Sequence, residues 1–114
     1  MLTIDTLRAF GADVETGLRT CMNNEAFYLR LVGMSLDDKN YEKLRDAIAQ
    51  NDLAAAFEAA HALKGVLSNL WLTPLVTQVS ELTELLRHRE PGDYAGYVEN
   101  ILALRDRLAE LRAD

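Results

Sequence analysis

Near the end of the chain, apolar residues recur at spacings of three and four: Tyr94, Tyr97, Val98, Ile101, Leu104, Leu108 and Leu111. Such a stripe lies along one face of an α-helix but would scatter over both faces of a strand, so this segment buries its apolar surface only as a helix laid against other helices. No stretch elsewhere shows the alternation of apolar and polar residues, bounded by turn signals, that marks a half-buried strand. The two prolines, Pro74 and Pro91, fall where helices would start or stop. The chain is expected to be all-α.

Polar clusters divide it. "MNNE" at 22–25 sets Asn24 as a cap before a first-turn glutamate, and "LDDKN" at 36–40 breaks or bends the helix it interrupts. "QND" at 50–52 is a tight turn with Asp52 or Asn51 as the next cap. "LTPL" at 72–75 offers Thr73 as cap with Pro74 at the first helical position, where its missing N–H costs nothing, and "REPGD" at 89–93 ends on the cap Asp93. These boundaries predict a short N-terminal helical piece, then helices near 24–37, 39–50, 52–70, 74–88 and 93–112. With two of these joined as one bent helix, four main helices remain, and short loops make sequential helices antiparallel neighbours. The expected architecture is an up-down antiparallel four-helix bundle with a short additional N-terminal helical segment, one domain over residues 1–114.

Composition narrows the function. Hydrophobic residues at 49% and charged residues at 26% are ordinary for a globular protein. The net charge of −6, with no basic cluster beyond the short "LRHRE" at 86–90, argues against nucleic acid as a partner. Cys21 is the only cysteine, so no intrachain disulfide forms and a reducing cytoplasm is the simpler expectation. The opening "MLTIDTLRAF" lacks the basic segment and apolar run of a signal peptide, and no apolar stretch approaches the roughly 20 residues of a membrane helix.

The segment "AAFEAAHALKGVLSNL", residues 55–70, carries one of only two histidines. With Leu53 set at zero and about 100° per residue, Ala56, Ala59, Leu63, Val66, Leu67 and Leu70 fall between roughly 220° and roughly 320° and are expected to face the core. On the same wheel Lys64 falls at about 20°, Phe57 at about 40°, Ser68 at about 60°, His61 at about 80° and Gly65 at about 120°, almost opposite that arc. Ala54 shares the outward side. A neutral imidazole is a good nucleophile near pH 7. If a phosphoryl group sat on a ring nitrogen, expected to be Nε2, Lys64 would offer a positive charge one turn away. Gly65 would remove a side chain from the path of an incoming partner, which would account for a glycine that costs a helix interior about 1 kcal/mol. Phe57 and Ala54 would supply apolar contact for docking.

"HALKG" at 61–65, followed by "VLSNL" at 66–70, resembles the histidine phosphotransfer (HPt) signature, His-x-Leu-Lys-Gly followed by small residues and Asn-Leu-Gly. "GLRTCMNNEAFYLRLVGM" at 17–34 is similar to the family's upstream segment, and "LTPLVTQVSELTELLR" to its next bundle helix, so the resemblance spans roughly residues 14 to 110. It implies that His61 is the phosphorylated residue of a multistep two-component phosphorelay. Lys64 and Gly65 are then the phosphate-side and space-making positions, and Asn69 the family asparagine at the edge of the exposed face. Ala54, Phe57, Ser68 and Asn69 border the expected partner surface. The implied partners are a response-regulator receiver domain, which brings its own Mg²⁺, and a sensor or hybrid histidine kinase. No cofactor is expected on this chain, and no GxxxxGK[ST] or GxGxxG loop offers it an ATP site. The sequence departs from the signature at Trp71, where the family has a helix-ending glycine.

The other candidates have plainer readings. His88 lies between Arg87 and Arg89, where cations suit a helix end, and Cys21 reads as a small packing residue. "DD" at 37–38 and "ELTE" at 81–84 read as solvated carboxylates, and two histidines with one cysteine give no recognised metal spacing. A buried cofactor would need a core-facing ligand. Two alternatives stand beside the carrier: a helical-bundle adaptor that binds a receiver or kinase without carrying phosphate, and a structural bundle whose histidine is merely solvated.

Overall fold

The computed structural model describes residues 1–113. Among them run seven helices: α1 (Ile4–Phe10), α2 (Val14–Thr20), α3 (Glu25–Ser35), α4 (Asn40–Ala49), α5 (Leu53–Asn69), α6 (Thr73–Arg87) and α7 (Tyr94–Ala113). α5 packs against both α4 and α6, α6 against α7, and α7 back against α4, which closes a four-helix bundle in chain order. α3 and α4 form its first, bent member, interrupted at the "LDDKN" cluster. Leu31 and Met34 of α3 lie beside Val66 and Leu70 at the end of α5, whereas Lys43 and Ala47 of α4 lie beside Ala55 and Ala59 near its start.

The core forms where the helical stripes meet. α5 contributes Ala56, Ala59, Ala60, Leu63 and Leu67, α6 contributes Leu75, Val79, Leu82 and Leu86, and α7 contributes Val98, Ile101 and Leu108, all buried. Tyr94, Tyr97, Leu104 and Leu111 pack partly buried at its rim. Cys21 is buried in the same core. Val66, expected in the core arc, is instead 36% exposed. It falls at the edge of the arc, over the open seam between α3 and α5.

The N-terminal segment is a pair of helices rather than one, and it closes the bundle end at which α5 stops. The Asp13 N–H donates to the Trp71 carbonyl (3.0 Å) and the Tyr28 hydroxyl to the Leu70 carbonyl (2.8 Å), while the Thr20 hydroxyl, bonded within its own helix to the Gly17 carbonyl (2.7 Å), lies 3.4 Å from the Asn69 carbonyl. The carbonyls of the two residues that follow α5 are thereby satisfied. Burial pushes the Tyr28 hydroxyl up to about 12, so it stays a donor at any ordinary pH. Gly17 makes this contact possible, because a Cβ there would lie 2.6 Å from the Tyr28 ring.

Asn24, Asp52 and Asp93 cap as expected, accepting from the N–H groups of Phe27, Ala55 and Gly96. Thr73 does not cap α6. Leu72 occupies the cap position without a side-chain bond, Thr73 is the first helical residue, and Pro74 follows it. Burial of Leu72 draws the chain straight into the helix, and the Thr73 hydroxyl donates back to the Trp71 carbonyl (3.3 Å). Asp37 is more than a solvated carboxylate. Arg112 near the end of α7 grips it with two hydrogen bonds (2.8 and 3.1 Å) and donates a third to the Gly33 carbonyl. The guanidinium holds the Asp37 carboxyl below its ordinary range. In the "ELTE" stretch, Glu81 accepts from the Tyr97 hydroxyl, and Glu84 pairs with Arg87 and His88.

Trp71 adopts the left-handed conformation (φ 58°) that the family glycine would occupy. Its N–H donates to the Ser68 carbonyl and the Leu72 N–H to that of Leu67, the paired bonds of a Schellman terminus. α5 therefore ends where the signature ends it. α6 stops in the same way, with Arg89 left-handed (φ 51°), its N–H bonded to Leu86 and the Glu90 N–H to Leu85. Because the Arg89 side chain is exposed, only backbone strain is at stake there. Arg89→Gly should raise unfolding stability by about 1 kcal/mol, read as a higher denaturant midpoint at unchanged slope. A lower midpoint would show that the arginine side chain contributes more than the strain costs.

Candidate functional site

The buried stripe of α5 leaves its opposite side to solvent. Along that side run Ala54, Phe57, His61, Lys64, Gly65, Ser68 and Asn69. Ala54, His61, Gly65 and Asn69 are exposed, whereas Phe57, Lys64 and Ser68 are half-buried. The residues singled out in the sequence thus share one continuous helix face. Ala60, beyond the edge of the expected core arc, proves buried, because α5 is covered from two sides.

The His61 imidazole makes no hydrogen bond or ion pair with any described residue. Its ring contact is with Phe57, the two rings stacked with centroids 5.7 Å apart and planes 13° from parallel. The Phe57 ring is also covered by the guanidinium of Arg87, whose central carbon lies 5.0 Å from the ring centroid. Arg87 comes from the last turn of α6 and is steadied by Glu84 (3.3 Å). Lys64 pairs with no carboxylate among the described residues, so its charge stays available beside His61.

Gly65 is informative because of what surrounds it. A Cβ built there would meet nothing within 4 Å. Packing in the bundle therefore does not require a glycine at this position, one turn after His61. Chemically, the face offers a nucleophile, a cation and free approach. Among the described residues no group of three or more His, Cys, Asp and Glu side chains could hold a metal ion. His88 terminates α6, its Nε2 lying 3.6 Å from Glu84.

Arg87 was not among the residues singled out for this site. In the sequence alone it is one of the cations flanking His88 at a helix end. Its proximity follows from the antiparallel pairing of α5 and α6, since Phe57 and Arg87 lie at nearly equal distances along the chain before and after the turn at Trp71.

A family model described as "Hpt domain" matches residues 37–114. The match takes in α4 to α7 and the whole His61 face. The similarity noted at 17–34 lies outside it. Searches of curated proteins and of solved structures returned no match. No described helix is long and apolar enough to cross a membrane.

With open space at Gly65, adding a methyl group should cost nothing sterically and remove the helix penalty. Gly65→Ala should stabilise the fold by about 0.5–1 kcal/mol, measured by chemical denaturation. Destabilisation would mean that the glycine serves the bundle rather than the surface.

Proposed function

Because the chain belongs to the Hpt domain family, whose members are phosphotransfer carriers in phosphorelays, we propose that His61 accepts a phosphoryl group from the aspartate of one response-regulator receiver domain and passes it to another. The observation that carries this reading is the unpartnered, exposed imidazole beside Lys64 and the cleared surface at Gly65. A ring-nitrogen lone pair attacks phosphorus. The P–N bond forms as the P–O bond to the aspartate breaks, and the electron pair leaves with the carboxylate. The second ring nitrogen then releases its proton to solvent.

In this reading Lys64 lies against the phosphoryl oxygens, and Ala54, Phe57, Ser68 and Asn69 border the receiver. The receiver supplies Mg²⁺ and most of the charge stabilisation of the transferring group. This chain supplies no ATP chemistry. A sensor or hybrid kinase loads the relay upstream, and the cytoplasm is where it operates. The net charge of −6 argues against nucleic acid as a partner.

Transfer from a phosphorylated receiver domain, followed by the acid lability of the label, tests the reading. The wild type should acquire acid-labile, alkali-stable label. His61→Gln should acquire none while keeping its stability within about 1 kcal/mol, because the side chain is exposed. A mutant that unfolds would make His61 structural, and binding to receivers without any label would make the protein an adaptor. Gly65→Gln should slow transfer about tenfold or more by crowding the approach while leaving the bundle folded. Unchanged kinetics would remove Gly65 from the site.

A further inference from the structure

We propose that Phe57 and Arg87 act as a positioning pair for His61, the Phe57 ring setting the plane of the imidazole and Arg87 holding the Phe57 ring. The proposal rests on His61 being the phosphoryl carrier. An imidazole is usually oriented by a hydrogen bond to one of its ring nitrogens. His61 has no such bond among the described residues, and on an exposed helix face its ring would turn freely about the Cβ–Cγ bond. The contact that opposes rotation is the near-parallel stack on Phe57. The 5.7 Å centroid separation lies within the range of offset-stacked aromatic pairs. The two residues are four apart on one helix, the spacing at which side chains meet.

Phe57 is a suitable platform because it is held on more than one side. It packs half-buried against the core, and Arg87 reaches over it from α6. The orientation of His61 is thus set by the packing of α6 on α5, and not by α5 alone. The consequence is chemical. The lone pair that attacks phosphorus lies in the imidazole plane, so a fixed plane pre-aims the nucleophile before a receiver docks. Stacking also shields one face of the ring and leaves its edge to the partner.

A positioning role and a docking role for Phe57 predict different kinetics. The test uses single-turnover transfer from a phosphorylated receiver over a range of receiver concentrations. Four full-length variants are compared: Phe57→Tyr, which keeps the ring; Phe57→Leu, which keeps apolar bulk but loses it; Arg87→Lys, which keeps the charge; and Arg87→Gln, which loses it. Side-chain NMR of the free proteins follows the His61 ring protons and their contacts with residue 57.

Because leucine keeps the apolar contact toward the receiver, Phe57→Leu should lower the saturating transfer rate about fivefold at an unchanged half-saturating receiver concentration. It should also abolish the ring-current shift on His61. Phe57→Tyr should stay within about twofold of wild type in both readouts. Arg87→Gln, at an exposed position where folding is not at risk, should slow transfer about two- to threefold, with Arg87→Lys recovering part of it. A raised half-saturating concentration with an unchanged rate would make Phe57 a docking residue and overturn the proposal, as would leucine kinetics equal to wild type. A wild-type protein that takes no label would overturn the carrier reading, and the positioning role with it.

Discussion

The helix that carries His61 must fit two neighbours at once. α5 lies between α4 and α6, and its buried face is built from Ala56, Ala59 and Ala60 at one end and Leu63 and Leu67 further along. Alanines let the neighbouring helices approach closely near the start of α5, and the leucines fill the wider interior beyond. Each buried leucine contributes roughly 2 kcal/mol of transfer free energy, which fixes the rotation of α5 about its own axis. Once that rotation is fixed, His61 has no choice of direction. An exposed imidazole on this helix is therefore a consequence of what the other side of the helix buries.

Rigidity along the helix axis has a separate source. The carbonyls of Leu70 and Trp71, the two residues that follow α5, are held by Tyr28 from α3 and Asp13 from the N-terminal segment. The turn into α6 is closed by the backbone bonds of Trp71 and Leu72. Helix ends fray when their last carbonyls are left to water, and here they are not. The N-terminal helices, outside the family match, thus bear on the site without touching it.

Much of this was legible in the sequence, and the exceptions share a cause. The bundle, the outward direction of His61 and the caps Asn24, Asp52 and Asp93 follow from periodicity and local hydrogen-bonding chemistry, which one helix expresses by itself. Val66 is more exposed than its place in the arc predicts, and the burial of Ala60 goes unpredicted, because both lie at the edges of the apolar arc, where burial depends on how far a neighbouring helix extends. Thr73 yielded its cap position to Leu72 because burial of a leucine outweighed a cap of about 1 kcal/mol. The departure at Trp71 leaves the helix end in place because a Schellman terminus is made by backbone groups, so a bulky residue meets the same geometry at a cost in strain. Arg87 was invisible because its relation to Phe57 exists only between two helices.

The charge beside His61 follows from a still simpler rule. Side chains on a helix meet partners three or four positions away, and around Lys64 those positions hold Ala60, His61, Leu67 and Ser68. None is anionic, so α5 cannot neutralise its own lysine, and no described carboxylate from another element does so. Elsewhere the surface shows the opposite habit: Arg8, Arg45, Arg87, Arg105 and Arg112 each pair with a carboxylate. A lysine already paired would have to release its partner before meeting an incoming anion, and that exchange would cancel most of the gain. Left unpaired, Lys64 keeps its whole charge for the phosphoryl group proposed on the neighbouring turn. In a chain with a net charge of −6, the turn that carries Lys64 therefore keeps an unneutralised positive charge.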